Sequence, residues 1–303
     1  GLSIGNKLPN AVKVLRGLAN VSVNMSDNAS ANFYHQAALD KSIEMFGEEH
    51  PESALTYLRY GDFLSVTGNS QALFYLNKSL NYYIKAFGKQ NIDVSTAYYY
   101  IGTYYFRAGD YNKAIDYFQL SLNAGFPGFS SQNISDNPEI TREDLNDNLL
   151  NPLTAKATAL LFLYKSDTNR VELLKTSVAT FNLSLKLIEM LRSTYQDEDS
   201  KMFISGNEKN TFSNALLAQV ELYHKTQNQE ALEHAYSLSE KGKSAVLLSH
   251  LRDKEAKNIG GIPAELQAQD ASLFVEVLHR NRAPRTHQVV APVLQQRIHG
   301  HHQ

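Results

Sequence analysis

Apolar residues recur along this chain three and four positions apart, the spacing that gathers them on one face of an α-helix. In Tyr98, Ile101, Gly102 and Tyr105 that face is aromatic and aliphatic, with one small residue set into it. The pattern breaks at Gly109-Asp110 and resumes with Ala114 and Phe118. It predicts two helices joined by a tight turn, in which Gly ends the first and Asp caps the second. Gly102 and Ala114 then sit where two antiparallel helices cross closely, and the larger residues fill the space around the crossing.

The block recurs. Forty-one or 42 residues earlier come Tyr57, Tyr60, Gly61, Leu64, a turn at Gly68-Asn69, then Ala72 and Leu76, with the second helix running on through Leu80 and Ile84 to Phe87-Gly88. The same step back again gives a weaker copy: Leu15, Leu18, Ala19, a turn at Asp27-Asn28, Ala31, Leu39, Ile43 and Phe46-Gly47. The two Phe-Gly pairs fix the period independently of the crossing residues. The order aromatic-x2-aliphatic-Gly-x2-aromatic followed by Ala-x3-Phe resembles the tetratricopeptide repeat, whose usual period is about 34 residues. The longer period, with its extra length in the second helix and the loop after it, resembles repeats of the kinesin light chain kind, a likeness that bears on fold alone.

Beyond Gly125 the pattern lapses into Gly, Pro, Ser and Asn, which reads as loop. Helical periodicity returns from about Leu153 to Asp167. A further helix is expected from about Val171 to Tyr195, with Leu173, Leu174, Val178, Phe181, Leu185, Ile188 and Leu191 on its apolar face. Two more are expected over roughly 200–226 and 229–251. The predicted layout is three repeats of about 41 residues over 7–124, a polar loop insertion over 125–151, two degenerate helix pairs over 152–252, a linker helix region over 253–280 and a flexible tail over 281–303. The expected fold is all-α: a tetratricopeptide-like α-solenoid of about five helix pairs, wound as a right-handed superhelix.

Three segments of the second half carry a more specific resemblance. Tyr195-Gln-Asp-Glu-Asp-Ser-Lys-Met-Phe203, the helix Ala235 to Arg252 with its Glu-Lys-Gly-Lys-Ser and Leu-Leu, and Asp253 to Leu266 with its Gly-Gly-Ile-Pro are similar to tetratricopeptide proteins that carry a caspase-like CHAT domain. The resemblance spans about residues 55–275. In such proteins the linker leads into a protease-like domain with a His/Cys dyad. This sequence has no cysteine and ends about 40 residues beyond Pro263, so the resemblance implies the repeat region without its CHAT domain.

Composition narrows the function. Of 303 residues 43% are hydrophobic and 20% charged, which is the balance of a folded protein. A net charge of −2 lacks the basic surplus of a nucleic-acid binder. The absence of cysteine removes disulfides, thiolate nucleophiles and Cys-based zinc sites. No apolar run approaches the roughly 20 residues of a membrane span. A cytoplasmic location is expected, although Gly at position 1 leaves room for a removed signal peptide. The phosphate-binding loop, the dinucleotide fingerprint, His-Glu-x-x-His and Gly-x-Ser-x-Gly are all missing, so neither an enzyme nor a cofactor is expected. Asp197, Glu198 and Asp199 read as acids favouring a helix start. His299, His301 and His302 read as an adventitious chelator in a tail, so no metal site is expected.

Repeat scaffolds of this type usually bind a protein or peptide along the concave face, lined by the first helix of each pair. By register that face carries Lys13, Arg16, Asn20 and Asn24 in the first copy, Leu58, Arg59 and Asp62 in the second, and Tyr99, Thr103, Phe106 and Arg107 in the third. Arg16 and Asn20 fall where carboxylate-clamp repeats place Lys and Asn, since a cation beside an amide donor suits an anion. The later clamp positions, Arg59, Thr96 and Tyr100, depart from that pattern. Tyr98 and Tyr105 are core by register, and Tyr99 and Phe106 read as packing between repeats. Lys241, Lys243 and Arg252 read as salt-bridged or solvated, with docking of an absent domain as the functional alternative. The expectation is an interaction scaffold acting as the sensing arm of a CHAT protein; the alternatives are a fragment of a hydrolase proenzyme and a self-assembling structural scaffold.

Overall fold

The computed structural model describes residues 10–141, 145–194 and 198–241, with backbone alone over 198–209. All belong to a compact unit ending at Ala245. Nine helices are complete among them: α1 (Ala11–Asn24), α2 (Asn28–Phe46), α3 (Pro51–Val66), α4 (Ala72–Phe87), α5 (Ile92–Arg107), α6 (Tyr111–Gly125), α7 (Leu150–Ser166), α8 (Val171–Thr194) and α9 (Glu198–Thr226). A tenth, α10, is described over 229–241, and no strand occurs among the described residues. The fold is all-α, an α-solenoid of successive helix pairs.

The ends of the helices follow from single residues. α2 and α4 stop at Gly47 and Gly88, whose φ of 85° and 81° suits a residue without Cβ. Asp27 and Asp110 start α2 and α6 by accepting the backbone N–H of Ser30 at 3.0 Å and of Lys113 at 3.1 Å. The crossings are as tight as the small residues imply. A Cβ on Gly61 would lie 2.8 Å from Leu76, and one on Gly102 would lie 2.6 Å from the Phe118 ring. Ala19, Ala31, Ala72 and Ala114 are all fully buried.

The first helices of the pairs follow one another, α3 touching α5, α5 touching α7 and α7 touching α9. Between them and the second helices runs an apolar core. Ala54, Leu58, Leu76, Leu80, Tyr83, Val94, Ala97 and Ile101 join the second pair to the third. Ile115, Phe118, Leu160, Leu174, Phe181, Phe212 and Leu238 carry the core on to α9 and α10.

Three expectations change. Leu58, assigned to the open face, is 1% exposed because it points into the core shared with α5. Leu18 is 40% exposed: its counterparts Tyr60 and Ile101 are covered by the preceding pair, and among the described residues no helix precedes α1. The insertion after Gly125 is loop in backbone but not merely polar, since Phe126 and Ile140 are buried in it against Leu122, Leu149, Leu153, Leu187 and Leu191. Its polar side chains also hold it down. Asn123 and Ser131 exchange hydrogen bonds of 2.9 and 3.1 Å, and Lys156 of α7, wholly buried, donates to the Asp136 carbonyl at 2.7 Å and to Asn137 Oδ1 at 3.0 Å. Burial pulls the Lys156 ammonium down to about 7, against the raising effect of Asp136.

Candidate functional site

The side chains assigned to the first-helix face form a ladder from helix to helix. Arg16 on α1 donates through Nη1 to Glu52 Oε2 at 2.9 Å and to Thr56 Oγ1 at 3.2 Å, both on α3. Arg59 on α3 donates to the Tyr100 hydroxyl on α5, with its guanidinium carbon 5.6 Å from the centroid of that ring. Arg107 on α5 reaches back to α3, donating to Asp62 Oδ1 at 2.7 Å and to Ser65 Oγ at 3.1 Å. Each rung joins residues separated by roughly one repeat, so the same helical face meets its neighbour once per period.

The rungs differ in what they leave open. The Arg16 side chain is only 14% exposed, so it is not a cation beside Asn20 awaiting a carboxylate; α3 already supplies one. Arg59 and Arg107 bond among the described residues through Nη1 alone and keep their remaining guanidinium donors, in a side chain that Tyr100 or Asp62 holds in place. Lys13, Asn20 and Asn24 are exposed on α1. Thr103 donates to the Tyr99 carbonyl at 2.9 Å, the bond a half-buried helical threonine makes to the preceding turn.

The aromatic residues serve packing between helices. Tyr99 lies 6.0 Å from Phe118, centroid to centroid, and Phe106 lies 5.4 Å from Tyr111 of α6 in its own pair and 5.4 Å from Phe162 of α7 in the next. Burial pushes the hydroxyls of Tyr99 and Tyr100 up, while the Arg59 guanidinium draws Tyr100 partly back. His35 on α2 is 2% exposed and stacks on Tyr60 and Phe63, with no partner for Nδ1. Burial, aided by the Arg59 charge, lowers it to about 4, so it stays neutral near pH 7.

Sequence spacing missed Glu52, Thr56, Ser65 and Tyr100 as the partners of these arginines; their separation by about one period was the available signal. It also missed Lys156, which only the folded loop identifies. Lys241 pairs with Glu189 of α8 at 2.6 Å between exposed side chains. Lys243 and Arg252 lie outside the described residues, as do the histidines of the tail, the Gly-Gly-Ile-Pro segment and the side chains over 195–209.

This architecture has known counterparts. Residues 53–124 match the family model of the tetratricopeptide repeat. Two solved structures share the fold. Both are of a Podosopora anserina protein assigned as a kinesin light chain, with nearly identical TPR-like repeats. One, a point variant, is 11% identical with a TM-score of 0.52, covering 79% of this chain and 99% of that one. The second is 12% identical with a TM-score of 0.52, covering 78% and 98%. No curated protein matches the chain. Among the described residues no helix is long and apolar enough to cross a membrane.

Proposed function

We propose that this chain is a protein-interaction scaffold that takes a protein or peptide segment on the face formed by α1, α3 and α5. Tetratricopeptide repeats generally mediate protein–protein association. The observation that carries the reading is the pair Arg59 and Arg107: two exposed guanidinium groups, each steadied by a neighbour on the adjacent first helix and each with donors left over. A planar cation held in place loses little freedom on binding, so it suits carboxylates and backbone carbonyls of an extended partner. Lys13, Asn20, Asn24 and Thr103 extend the polar face, with Tyr99 as an apolar wall. Asp62 and Arg16 serve as braces, and their replacement acts through the arginines or helices they hold.

Capture with the whole chain, followed by titration of the recovered partner, tests this. The Arg59→Ala/Arg107→Ala variant is expected to weaken binding at least about tenfold, the loss of one or two charge-assisted contacts. Unchanged affinity in that variant overturns the assignment of the face. The resemblance of 195–203 and 235–266 to CHAT-associated proteins supports a finer reading, in which the scaffold is the regulatory arm of a caspase-like protein. An in-frame domain with paired His and Cys downstream in the gene is the expected finding, and a stop codon directly after residue 303 rejects it.

A further inference from the structure

We infer that α1 is a self-association surface, pairing antiparallel with the same helix of a second copy of this chain through Val14, Leu18, Val21 and Met25. Val14, Leu18 and Val21 are 57%, 40% and 54% exposed on a helix whose opposite face is buried, and Met25, which caps its C-terminal end, is 75% exposed. The repeat shows what this face is built to do. Aligning Ala19 with Gly61 and Gly102 places Val14, Leu18 and Val21 level with Thr56, Tyr60 and Phe63 of α3 and with Ala97, Ile101 and Tyr104 of α5. In α3 all three are buried, Tyr60 against Asn32 and His35, and Phe63 against His35, all residues of α2. In α5, Ala97 and Ile101 are wholly buried in the core that α4 shares. The α1 stripe therefore continues an established helix–helix interface, and no described helix fills it.

Three features commit the stripe to a second copy. Its spacing of four, three and four is that of the seam between two paired helices. An identical helix presents the same seam, so a two-fold axis between Leu18 and Val21 closes the contact on itself. The rim also permits it: Gly17, Asn20 and Asn24 are uncharged, Arg16 is held by Glu52, and in an antiparallel pair the two Lys13 side chains fall at opposite ends. With Gly17 exposed and nothing within 4 Å of its would-be Cβ, the second helix can approach closely. Fourteen residues give a seam of only about 21 Å, so the contact is small and the dimer a weak one.

Analytical ultracentrifugation of the whole chain from roughly 1 to 200 µM is the test, a range that brackets an interface of this size. The mass is expected to rise with concentration from 34.0 kDa toward twice that value. Leu18→Glu and, separately, Val21→Glu are expected to keep the chain monomeric throughout, with unchanged helical circular dichroism because both sites are exposed. Phe74→Glu, at a residue 57% exposed on α4, is expected to dimerise as the native chain does. A native chain that stays monomeric, or a dimer that survives both α1 variants, overturns the proposal. Loss of the dimer in Phe74→Glu alone moves the interface to the second helices and overturns it equally. Asn20 and Asn24 border both this seam and the first-helix binding face, but self-association is read without any partner and the variants replace neither residue, so its outcome is separate from the fate of that face.

Discussion

Arg107 on α5 donates to Asp62 on α3 at 2.7 Å, binding the first helices of two successive pairs across 45 positions of sequence. Both side chains are about one-third exposed, so the ion pair is partly screened and its worth is modest. A double-mutant cycle with Arg107→Ala and Asp62→Ala, followed by urea unfolding, is expected to give a coupling of about 0.5–1 kcal/mol. A coupling several times larger would mean the pair is the main tie between α3 and α5, in place of the apolar core around Leu58 and Ile101.

Two helical glycines are expected to respond in opposite directions. Gly102 faces Phe118 at a distance no Cβ tolerates without movement, so Gly102→Leu is expected to destabilise by about 3 kcal/mol or more in chemical unfolding. Gly17 meets open space with ordinary helical backbone. In the monomer, at concentrations too low for α1 to pair, Gly17→Ala is therefore expected to stabilise by about 0.5–1 kcal/mol through helix propensity.

His35 makes stability depend on acid. Its folded value of about 4 lies below the ordinary 6.5, so between those pH values the unfolded chain binds more protons. Stability is full above pH 6.5 and falls as pH drops toward 4, by up to about 3 kcal/mol from this group. Melting temperature measured from pH 7.5 to 4.5 is expected to show the decline, and His35→Phe is expected to reduce it.

Lys156 gives the corresponding signature on the alkaline side. Folding lowers it from 10.5 to about 7, so the unfolded chain is again the better proton binder between those values. Its contribution rises as pH climbs from 7 toward 10.5, by an amount on the order of a few kcal/mol. Lys156→Met keeps the stem and removes the charge. It is expected to flatten that rise and, by freeing Asp136 and Asn137, to speed proteolysis within 126–141.

The repeat was legible because close crossings and turns need particular residues locally. Gly61, Gly102, Ala72 and Ala114 announce the crossings, Gly47 and Gly88 the helix ends, and Asp27 and Asp110 the starts. The candidate site was legible only as a set of positions on one face. Helical register places Arg16, Arg59, Asp62 and Arg107 there, but register says nothing about whether a neighbouring helix already supplies their partners.

The sequence by itself therefore determined the helix pairs, their period and the small residues at which they cross, since all of these rest on contacts within about one repeat. Tertiary structure alone decided that Leu58 is core, that Arg16 is bound by Glu52, that Lys156 is buried beneath a loop and that Val14, Leu18 and Val21 stand open. Those outcomes depend on which surface of one pair meets the next. The same face of a first helix is covered in α3 and α5, where a preceding helix packs on it, and exposed in α1, where none of the described helices does.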